Sequence, residues 1–489
     1  MGRDVSGAVF SREDRQRYRQ KVRACLDVFA RMLSEARFDP DDRSVGMEIE
    51  LNLTDEAGDP AMLNSQALEA IADPDFQTEL GRFNLEINVP PRFLEAGVFG
   101  ELEGTMRRDL NHAEAQARTV GAHMMLIGIL PTVTEEHLTR DSFSDNPRYE
   151  LLNEQIFAAR GEDLEISIGG VERLATFADT IAPEAACTSV QLHQLVEPEA
   201  FAGFWNAAQA IAGAQVAVAA NSPFFFGKEL WRETRIALFE QSTDTRPEEL
   251  KAQGVRPRVW FGERWITSIF DLFEENVRYF PALLPVCEAE DPAETLDRGD
   301  TPSLAELQLH NGTIYRWNRP IYDVSGGQPH LRVENRLLPS GPTVVDICAN
   351  AAFYYGLVRT LVAEEQPLWS RMSFSAAEEN FHAGARDGIG AQLYWPGIGE
   401  VQASELVLRR LLPAADEGLA HAGIAAADRD RLLGVIERRC VTMRNGAAWQ
   451  SAAFHRLDKG DRLEALRQMT VLYREHMHAN EPVHDWPLP

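Results

Sequence analysis

The chain has 489 residues, of which 44% are hydrophobic and 25% are charged. At about 150 residues per domain this length predicts two or three compact units, and these fractions exclude a globally disordered chain. The 48 lysine and arginine residues against 75 aspartate and glutamate residues give a formal net charge of −27. Because such a charge repels nucleic acids and anionic membranes, we expect neither as a partner.

The small number of lysines and the spacing of the cysteines limit how the protein can bind anions and metals. Only four of the basic residues are lysines, so arginine side chains and bound cations must do most of any anion binding. The five cysteines are widely spaced and form no CxxC pair, which indicates neither a disulfide framework nor a zinc site. The N-terminus lacks the continuous apolar core of a signal peptide. We therefore expect a cytoplasmic protein with reduced cysteines, and the sequence leaves open whether it forms a homo-oligomer.

The predicted elements begin with an amphipathic helix over residues 13–37 and a strand over Val45–Leu53. Further helices are predicted over 99–119, 201–220 and 343–363, and the chain beyond about residue 400 is helical. These elements divide the chain into an N-terminal helix (1–40), a catalytic domain (41–395) and a helical C-terminal segment (396–489). Because the strands and helices do not alternate as regular βαβ units, the order favours an α+β fold with a largely antiparallel sheet.

One apolar stretch, residues 201–227, carries no charge and is long enough to cross a bilayer. It contains Asn206, Gln209, Gln215 and Asn221 and closes with proline and glycine, which favours a buried helix over a membrane span. Near the C-terminus, His476, His478, His484 and Asp485 could bind a metal. Because nothing in the sequence orients them as a ligand set, we expect a surface tail with incidental histidines.

Four predicted strands share one pattern, an apolar face opposite a face of acidic, amide or basic side chains. The strands are 45–53, 84–89, 188–193 and 331–337, and their polar faces include Glu48, Glu50, Glu86, Gln191, His193, Arg332, Glu334 and Arg336. Each of these strands, considered alone, is most simply an antiparallel strand with one solvent-exposed face. Glutamate, however, is depleted in strands, so its recurrence here favours a site.

The spacing of the acidic residues indicates metal binding. Glu48 and Glu50 are about 6.6 Å apart along their strand, and carboxylates that close repel each other unless a cation lies between them. If the strands are neighbours, Glu86, Glu334 and His193 supply further ligand atoms. Oxygen-rich sites favour Mg²⁺ or Mn²⁺ over zinc, and arginines beside them suit phosphate oxygens. The pattern therefore predicts metal–ATP chemistry, whereas the P-loop signature is absent around Gly227-Lys228.

Several of these segments, taken in order over about residues 44–360, resemble the glutamate–cysteine ligase family, especially its bacterial type-two and carboxylate–amine ligase branch. VGMEIELNL looks like its Gly-x-Glu-x-Glu strand, and ELGRFNLEINVPP resembles its second acidic strand, with Glu79 and Glu86 at the acidic positions. TSVQLHQ is similar to its Gln-x-His strand. The segments NPRY, NSPF followed by Arg232 and Arg235, and RVENRLLPSGP resemble further family elements.

The resemblance implies a glutamine synthetase-like fold, with a curved antiparallel sheet, helices behind it and a concave face that holds metals and ATP. It also implies that ATP converts a carboxylate, the γ-carboxylate of glutamate in the family's usual reaction, to an acyl phosphate that an amine then attacks. The implied partners are therefore ATP, an amino-acid carboxylate such as glutamate, and an amine, with Mg²⁺ or Mn²⁺ as the cofactor.

Together with the strand pattern, the resemblance assigns roles to individual residues. The catalytic residues are Glu48, Glu50 and Arg336. The metal ligands are Glu48, Glu50, Glu79, Glu86, His193 and Glu334, and the residues that bind ATP are Arg332 and Arg336. The residues that bind the amino-acid substrate are Arg148, Tyr149, Gln191 and Arg235.

The acceptor amine stays open at this point. The motif Glu-Asn-Arg-Leu-Leu-Pro-Ser-Gly-Pro departs from the form associated with members that use cysteine, so cysteine is suggested by the family name alone. Two alternatives of other classes also remain: a guanidino kinase-like phosphotransferase that stops at phosphoryl transfer, and a noncatalytic small-molecule binding protein.

Overall fold

The computed structural model describes residues 10–38 and 43–489. Its strands, in chain order, are β1 Ser44–Thr54, β2 Phe76–Thr78, β3 Asn84–Phe93, β4 His123–Met125, β5 Leu164–Gly169, β6 Arg173–Ala178, β7 Ser189–Leu195, β8 Phe224–Phe225, β9 Lys228–Glu229, β10 Val259–Trp260, β11 Tyr315–Arg316, β12 Asn318–Ser325, β13 Gln328–Pro339, β14 Gln392–Trp395 and β15 Gly399–Gln402. Seven of them form the main sheet, in the order β12, β13, β7, β1, β3, β2, with β4 paired to β1. The pairings within this sheet are antiparallel.

The α-helices of the described residues surround this sheet and make up the C-terminal part of the chain. They are α1 Arg12–Ser34, α2 Asn64–Ile71, α3 Val98–Ala117, α4 Pro147–Arg160, α5 Pro198–Ala219, α6 Thr234–Ser242, α7 Glu248–Ala252, α8 Ile269–Tyr279, α9 Pro292–Asp297, α10 Ala305–Asn311, α11 Val344–Ala363, α12 Phe374–Asp387, α13 Ala403–Leu406, α14 Leu412–His421, α15 Ala426–Thr442, α16 Gly446–Leu457 and α17 Arg462–Ala479.

The strand register brings the polar faces of four strands together. Glu48 of β1 lies opposite Gln191 of β7, Glu50 lies opposite Glu86 of β3, and Glu334 of β13 lies opposite His193 of β7. Residues opposite each other on neighbouring strands share a face of the sheet, so these side chains line one surface. The four predicted strands are therefore neighbours, and the α+β fold with a curled, largely antiparallel sheet is confirmed.

The apolar residues of the same strands face a helical layer. Ile49, Leu51 and Leu85 are fully buried, and α5 packs against β13 and α11. At about 25 cal/mol per Å² of apolar surface removed from water, a fully buried leucine or isoleucine side chain contributes about 1.5–3 kcal/mol. Burial of this face holds the sheet against its helices and leaves the other face free to form a site.

The charge-free stretch is a buried helix, α5, as predicted. Its amides are satisfied inside the protein: Asn206 Nδ2 donates to the Ile266 carbonyl (3.0 Å), and Gln215 Nε2 donates to Asn335 Oδ1 (2.9 Å). Because each buried amide finds a partner, the helix can lie in the core without a polar penalty. Among the helices of residues 10–38 and 43–489, none is long and apolar enough to cross a membrane.

The C-terminal segment packs into the same hydrophobic cluster as the sheet, which runs from Tyr18 to Trp486. The expectation of a surface tail is wrong for His484, which is only 4% exposed, and His476 stacks on the fully buried Trp486. Apolar side chains around these histidines, such as Trp486, are buried in the core and bring the histidines with them. The spacing of the histidines alone does not show this. The division into units 1–40, 41–395 and 396–489 stays a prediction.

Candidate active site

A cavity of about 390 Å³ opens on the polar face of the sheet. It is bounded by β1, β3, β7 and β13, by the loop before β3, by the start of α4 and by residues that lead into β7. Its lining includes Glu48, Glu50, Glu79, Glu86, Arg148, Tyr149, Glu184, Gln191, Arg235, Arg319 and Arg336. Most of the predicted site residues therefore surround one space.

The first group of potential metal ligands is Glu48, His193 and Glu334. Their nearest ligand atoms all lie within 4.8 Å of one another, and His193 Nε2 is 3.3 Å from Glu48 Oε1. Burial alone would raise the pKa of Glu48, but the neighbouring His193 outweighs it and lowers this pKa to about 2. Among the described residues, His193 Nδ1 has no hydrogen-bond partner, and Nε2 makes only the 3.3 Å contact with Glu48. Two ionised carboxylates beside an unsatisfied imidazole fit a divalent cation.

The second group is Glu50, Glu79 and Glu86, whose nearest oxygens also lie within 4.8 Å of one another. Burial, and then the charge of Glu79, raise the pKa of Glu50 to about 7, although the Ser189 N–H donates to its Oε2 (2.6 Å). Burial and the neighbouring carboxylates also raise the pKa of Glu86 well above its ordinary value. Three crowded carboxylates are a donor set that fits Mg²⁺ or Mn²⁺, because a cation between them removes the repulsion.

Two arginines bracket Glu334. Arg336 Nη1 contacts Glu334 Oε1 (2.6 Å) and Gln191 Oε1 (2.7 Å), while Arg319 donates from Nε to Oε2 (2.5 Å) and from Nη2 to Oε1 (3.0 Å). Although burial opposes it, this pair of guanidinium groups holds the pKa of Glu334 well below its ordinary value. Arg319, on β12 directly opposite Glu334, was missed by the sequence analysis.

Arg332, like the predicted ligands His193 and Glu334, is not among the residues that line the cavity. The Arg332 Nη2 atom lies 3.4 Å from Oδ2 of Asp323. Arg332 and Arg336 share a face of β13, but Arg332 lies nearer the start of the strand. Of the two arginines predicted to bind ATP, only Arg336 faces the cavity.

The four residues predicted to bind the amino-acid substrate, Arg148, Tyr149, Gln191 and Arg235, all line the cavity. Arg148 and Tyr149 begin α4, which is capped by the Asn146 side chain accepting from the Arg148 N–H (2.9 Å). Arg235, in α6, donates from Nε to Glu233 Oε1 (3.0 Å).

Glu184 is a second residue that the sequence analysis missed. It lies in a short 3₁₀ helix, Ala182–Ala186, which leads into β7, and its side chain lines the cavity. Burial, and then the charge of Glu79, raise its pKa to about 8. Within the described residues no hydrogen bond to its carboxylate occurs. The cavity thus contains an acid that has no hydrogen-bond partner among the described residues, on the same lining as Arg148.

Comparison with known proteins identifies the family and supports the fold. The model of a family described as glutamate-cysteine ligase family 2 matches residues 44–465. A solved structure of a glutamate–cysteine ligase from Francisella tularensis in complex with AMP matches with a TM-score of 0.55 at 11% identity, over 93% of this chain and 91% of that chain. A bifunctional glutathione synthetase from Pasteurella multocida matches with a TM-score of 0.49 at 13% identity, over 93% of this chain and 55% of that chain. Among curated proteins none matches the sequence.

Proposed function

This chain belongs to glutamate-cysteine ligase family 2, and from that premise we propose that its cavity joins the γ-carboxylate of glutamate to an amine. The chain is an ATP-dependent ligase that forms amide bonds. We assign glutamate as the carboxylate substrate and an amino acid such as cysteine as the amine. This finer assignment is supported by the charged residues that line the cavity. The observation that carries it is the pair of ligand groups beside Arg336, with Arg148 and Glu184 on the same lining.

The two ligand groups support a requirement for Mg²⁺ or Mn²⁺. Glu48, His193 and Glu334 would hold one ion, and Glu50, Glu79 and Glu86 would hold another. When bound, the ions would neutralise charge on the phosphate oxygens of ATP. Arg336 is fixed by Glu334 and Gln191, so its guanidinium is preorganised to donate hydrogen bonds to a phosphoryl group.

The reaction proposed for this site has two steps. A carboxylate oxygen of glutamate attacks the γ-phosphorus of ATP, ADP leaves, and an acyl phosphate forms. The nitrogen of the amine then attacks the acyl carbon, phosphate leaves with the bonding electrons, and the nitrogen loses a proton to give the amide. Because an acyl phosphate hydrolyses in water, the site must hold the acceptor at about 3–3.5 Å from the acyl carbon.

The charges on the cavity wall suit an amino acid. Arg148 can bind an α-carboxylate. Glu184, which has no donor among the described residues, can accept hydrogen bonds from an α-ammonium group, whose positive charge favours the ionised carboxylate. Arg235, held by the buried Glu233, supplies a second guanidinium for a carboxylate. A zwitterionic substrate would therefore find a partner for each of its charges.

The decisive experiment incubates purified protein with Mg-ATP, glutamate and, one at a time, a panel of amines that includes cysteine. We expect slow phosphate release with glutamate alone, faster release with one amine, and an amide in the mass spectrum. The control is Glu50→Gln, which lacks one ligand carboxylate and should abolish release. A persistent phosphorylated product without amide under every amine would instead indicate a guanidino kinase-like phosphotransferase, and no turnover at all would indicate a noncatalytic binding protein.

The cellular location is a further proposal. All five cysteines are unpaired, and Cys25, Cys348 and Cys440 are buried. Free thiols persist in a reducing compartment, which supports the cytoplasm as the place where this protein works.

A further inference from the structure

The C-terminal helices contact one buried turn, residues 220–222, which follows α5. Gln450 Nε2 of α16 donates to the Asn221 carbonyl (3.1 Å) and to Asn221 Oδ1 (2.9 Å). From the other side, Asn221 Nδ2 donates to Tyr473 Oη of α17 (2.8 Å). Asn221 is fully buried, so these bonds have no competition from water.

This contact is closely packed and leaves little freedom for the Tyr473 hydroxyl. A Cβ added at Gly446, the first residue of α16, would lie 1.9 Å from Asn221 Oδ1, so only glycine allows the helix to begin here. The Tyr473 ring packs edge-on against Trp449 and Trp486, and its hydroxyl donates to the Leu126 carbonyl (2.8 Å). The turn is therefore held on both sides by side chains whose own positions are fixed.

From Asn221 the hydrogen bonds continue into the cavity. The Asn221 N–H donates to Glu233 Oε2 (2.7 Å), and Glu233 Oε1 accepts from Arg235 Nε (3.0 Å). The Arg235 guanidinium also donates to the Leu337 carbonyl and lies over the Trp317 ring, 5.8 Å from its centroid. Glu233 is fully buried, so its carboxylate is anchored by these partners and in turn orients Arg235, which lines the cavity.

We propose that α16 and α17 set the position of the Arg235 guanidinium, with Gln450 and Tyr473 as positioning residues that act through Asn221 and Glu233. The inference rests on the proposed function, because it takes Arg235 to bind the carboxylate substrate. A displacement of about 1 Å in a substrate-positioning group can cost about 100-fold in rate. Gln450 lies within the residues matched by the family model, 44–465, whereas Tyr473 lies beyond them, so part of this support comes from outside that match.

The first test compares Tyr473→Phe with Tyr18→Phe. Tyr18 is also a buried tyrosine whose hydroxyl donates to a backbone carbonyl, that of Glu306 (3.0 Å), but it does not line the cavity. We expect Tyr473→Phe to raise KM for glutamate about tenfold, the order of losing one hydrogen bond between the displaced Arg235 and the substrate carboxylate, while KM for ATP stays within about twofold. Tyr18→Phe should leave both KM values unchanged. Equal KM values for glutamate in the two variants would overturn the inference.

The second test is a double-mutant cycle with Arg235→Lys. Lysine keeps the positive charge but cannot make the two parallel hydrogen bonds that a guanidinium makes to a carboxylate. If Tyr473 acts through Arg235, Tyr473→Phe should change KM for glutamate by less than about twofold in the Arg235→Lys background. If the effects of the two substitutions on KM for glutamate multiply in the double variant, Tyr473 acts independently of Arg235 and the inference is overturned.

A structural measurement keeps this inference separate from the proposed function. If the wild type and Tyr18→Phe form no amide, the proposed function has failed, and crystal structures of the wild type and Tyr473→Phe still decide on the positioning. We expect the Arg235 guanidinium to move by about 1 Å, the scale at which positioning matters. Superimposable Arg235 side chains would refute the positioning role whatever the reaction is.

Discussion

Replacing Glu86 with glutamine should stabilise the metal-free protein while removing its activity. Glu86 is 2% exposed and its nearest oxygen lies within 4.8 Å of those of Glu50 and Glu79. The change keeps the shape of the side chain and removes one of three crowded negative charges. Gln77 Nε2, which donates to Glu86 Oε1 in the wild type, can still donate to the new amide oxygen.

The magnitude follows from the electrostatics of this group. The pKa of Glu50 rises from 4.5 to about 7, by burial first and the Glu79 charge second, and at about 1.4 kcal/mol per unit this shift corresponds to about 3 kcal/mol. Burial, and then the charges of Glu79, Glu48 and Glu50, also raise the pKa of Glu86 itself well above its ordinary value. Because glutamine carries no charge to bury, we expect Glu86→Gln to raise the free energy of unfolding by about 1–2 kcal/mol at pH 8.

The pH dependence gives the sign of the effect. Where a carboxyl pKa is raised by folding, the folded state binds more protons than the unfolded state, so stability falls as the pH rises from about 4.5 through about 7. At pH 5 the Glu50 carboxyl is largely protonated in the folded state, so fewer negative charges are crowded together and the substitution should change stability little.

The assay is urea unfolding in excess chelator at pH 5 and pH 8, with Glu229→Gln as the matched control. Glu229 is equally buried but paired, with Arg232 Nη1 at 3.0 Å and His455 Nε2 at 2.8 Å. Removing its charge should therefore destabilise the protein. With Mg²⁺ added, only the wild type and Glu229→Gln should gain stability from an ion bound by Glu50, Glu79 and Glu86. If Glu86→Gln loses stability at pH 8 as Glu229→Gln does, the reasoning about crowded carboxylates is refuted.

Three further predictions concern individual side chains of the cavity. Arg319→Gln should lower kcat/KM about 100-fold, the scale for loss of one preorganised donor, whereas Arg332→Gln should lower it less than about threefold; equal losses in steady-state assays would contradict this. Arg336→Lys keeps the charge but loses the fork, so we expect a loss of about 2–4 kcal/mol in transition-state stabilisation, and normal kinetics in a folded variant would disprove it. Glu184→Gln should raise KM for glutamate about tenfold, through loss of a charged hydrogen bond, but leave inhibition by glutarate, which lacks the α-ammonium group, unchanged; a parallel loss for both compounds would exclude ammonium binding.

The strands that carry Glu48, Glu86 and Glu334 could be predicted because their signal is local. Alternation of apolar and polar residues identifies a half-buried strand, and glutamate at the polar positions is unusual enough to indicate a site. The pairing of these strands is not local, since it depends on the register across the sheet. Glu50 lies opposite Glu86 although 35 residues separate them in the sequence, and the sequence could support that pairing only through the resemblance to a family.

Arg319 and Glu184 escaped prediction for different physical reasons. Arg319 lies on β12 beside Pro320, and a proline argues against a central strand; it is tolerated here because β12 is an edge of the sheet. Its importance comes from its pairing with Glu334, which no pattern in its own segment reveals. Glu184 lies in a 3₁₀ helix without periodicity, and only the tertiary fold turns its carboxylate towards the cavity.

Arg332 is the opposite case, because alternation predicts it in the site and the structure places it outside. Alternation correctly places Arg332, Glu334 and Arg336 on one face of β13, but at about 6.6 Å for each pair of residues the two arginines are about 13 Å apart. A cavity of about 390 Å³ spans only part of such a face, and here it includes Arg336 and ends before Arg332. At that end β12 supplies Asp323, opposite His330 and 3.4 Å from the Arg332 guanidinium. Alternation thus predicts which face a side chain occupies, whereas the neighbouring strand decides whether that position along the face belongs to the site.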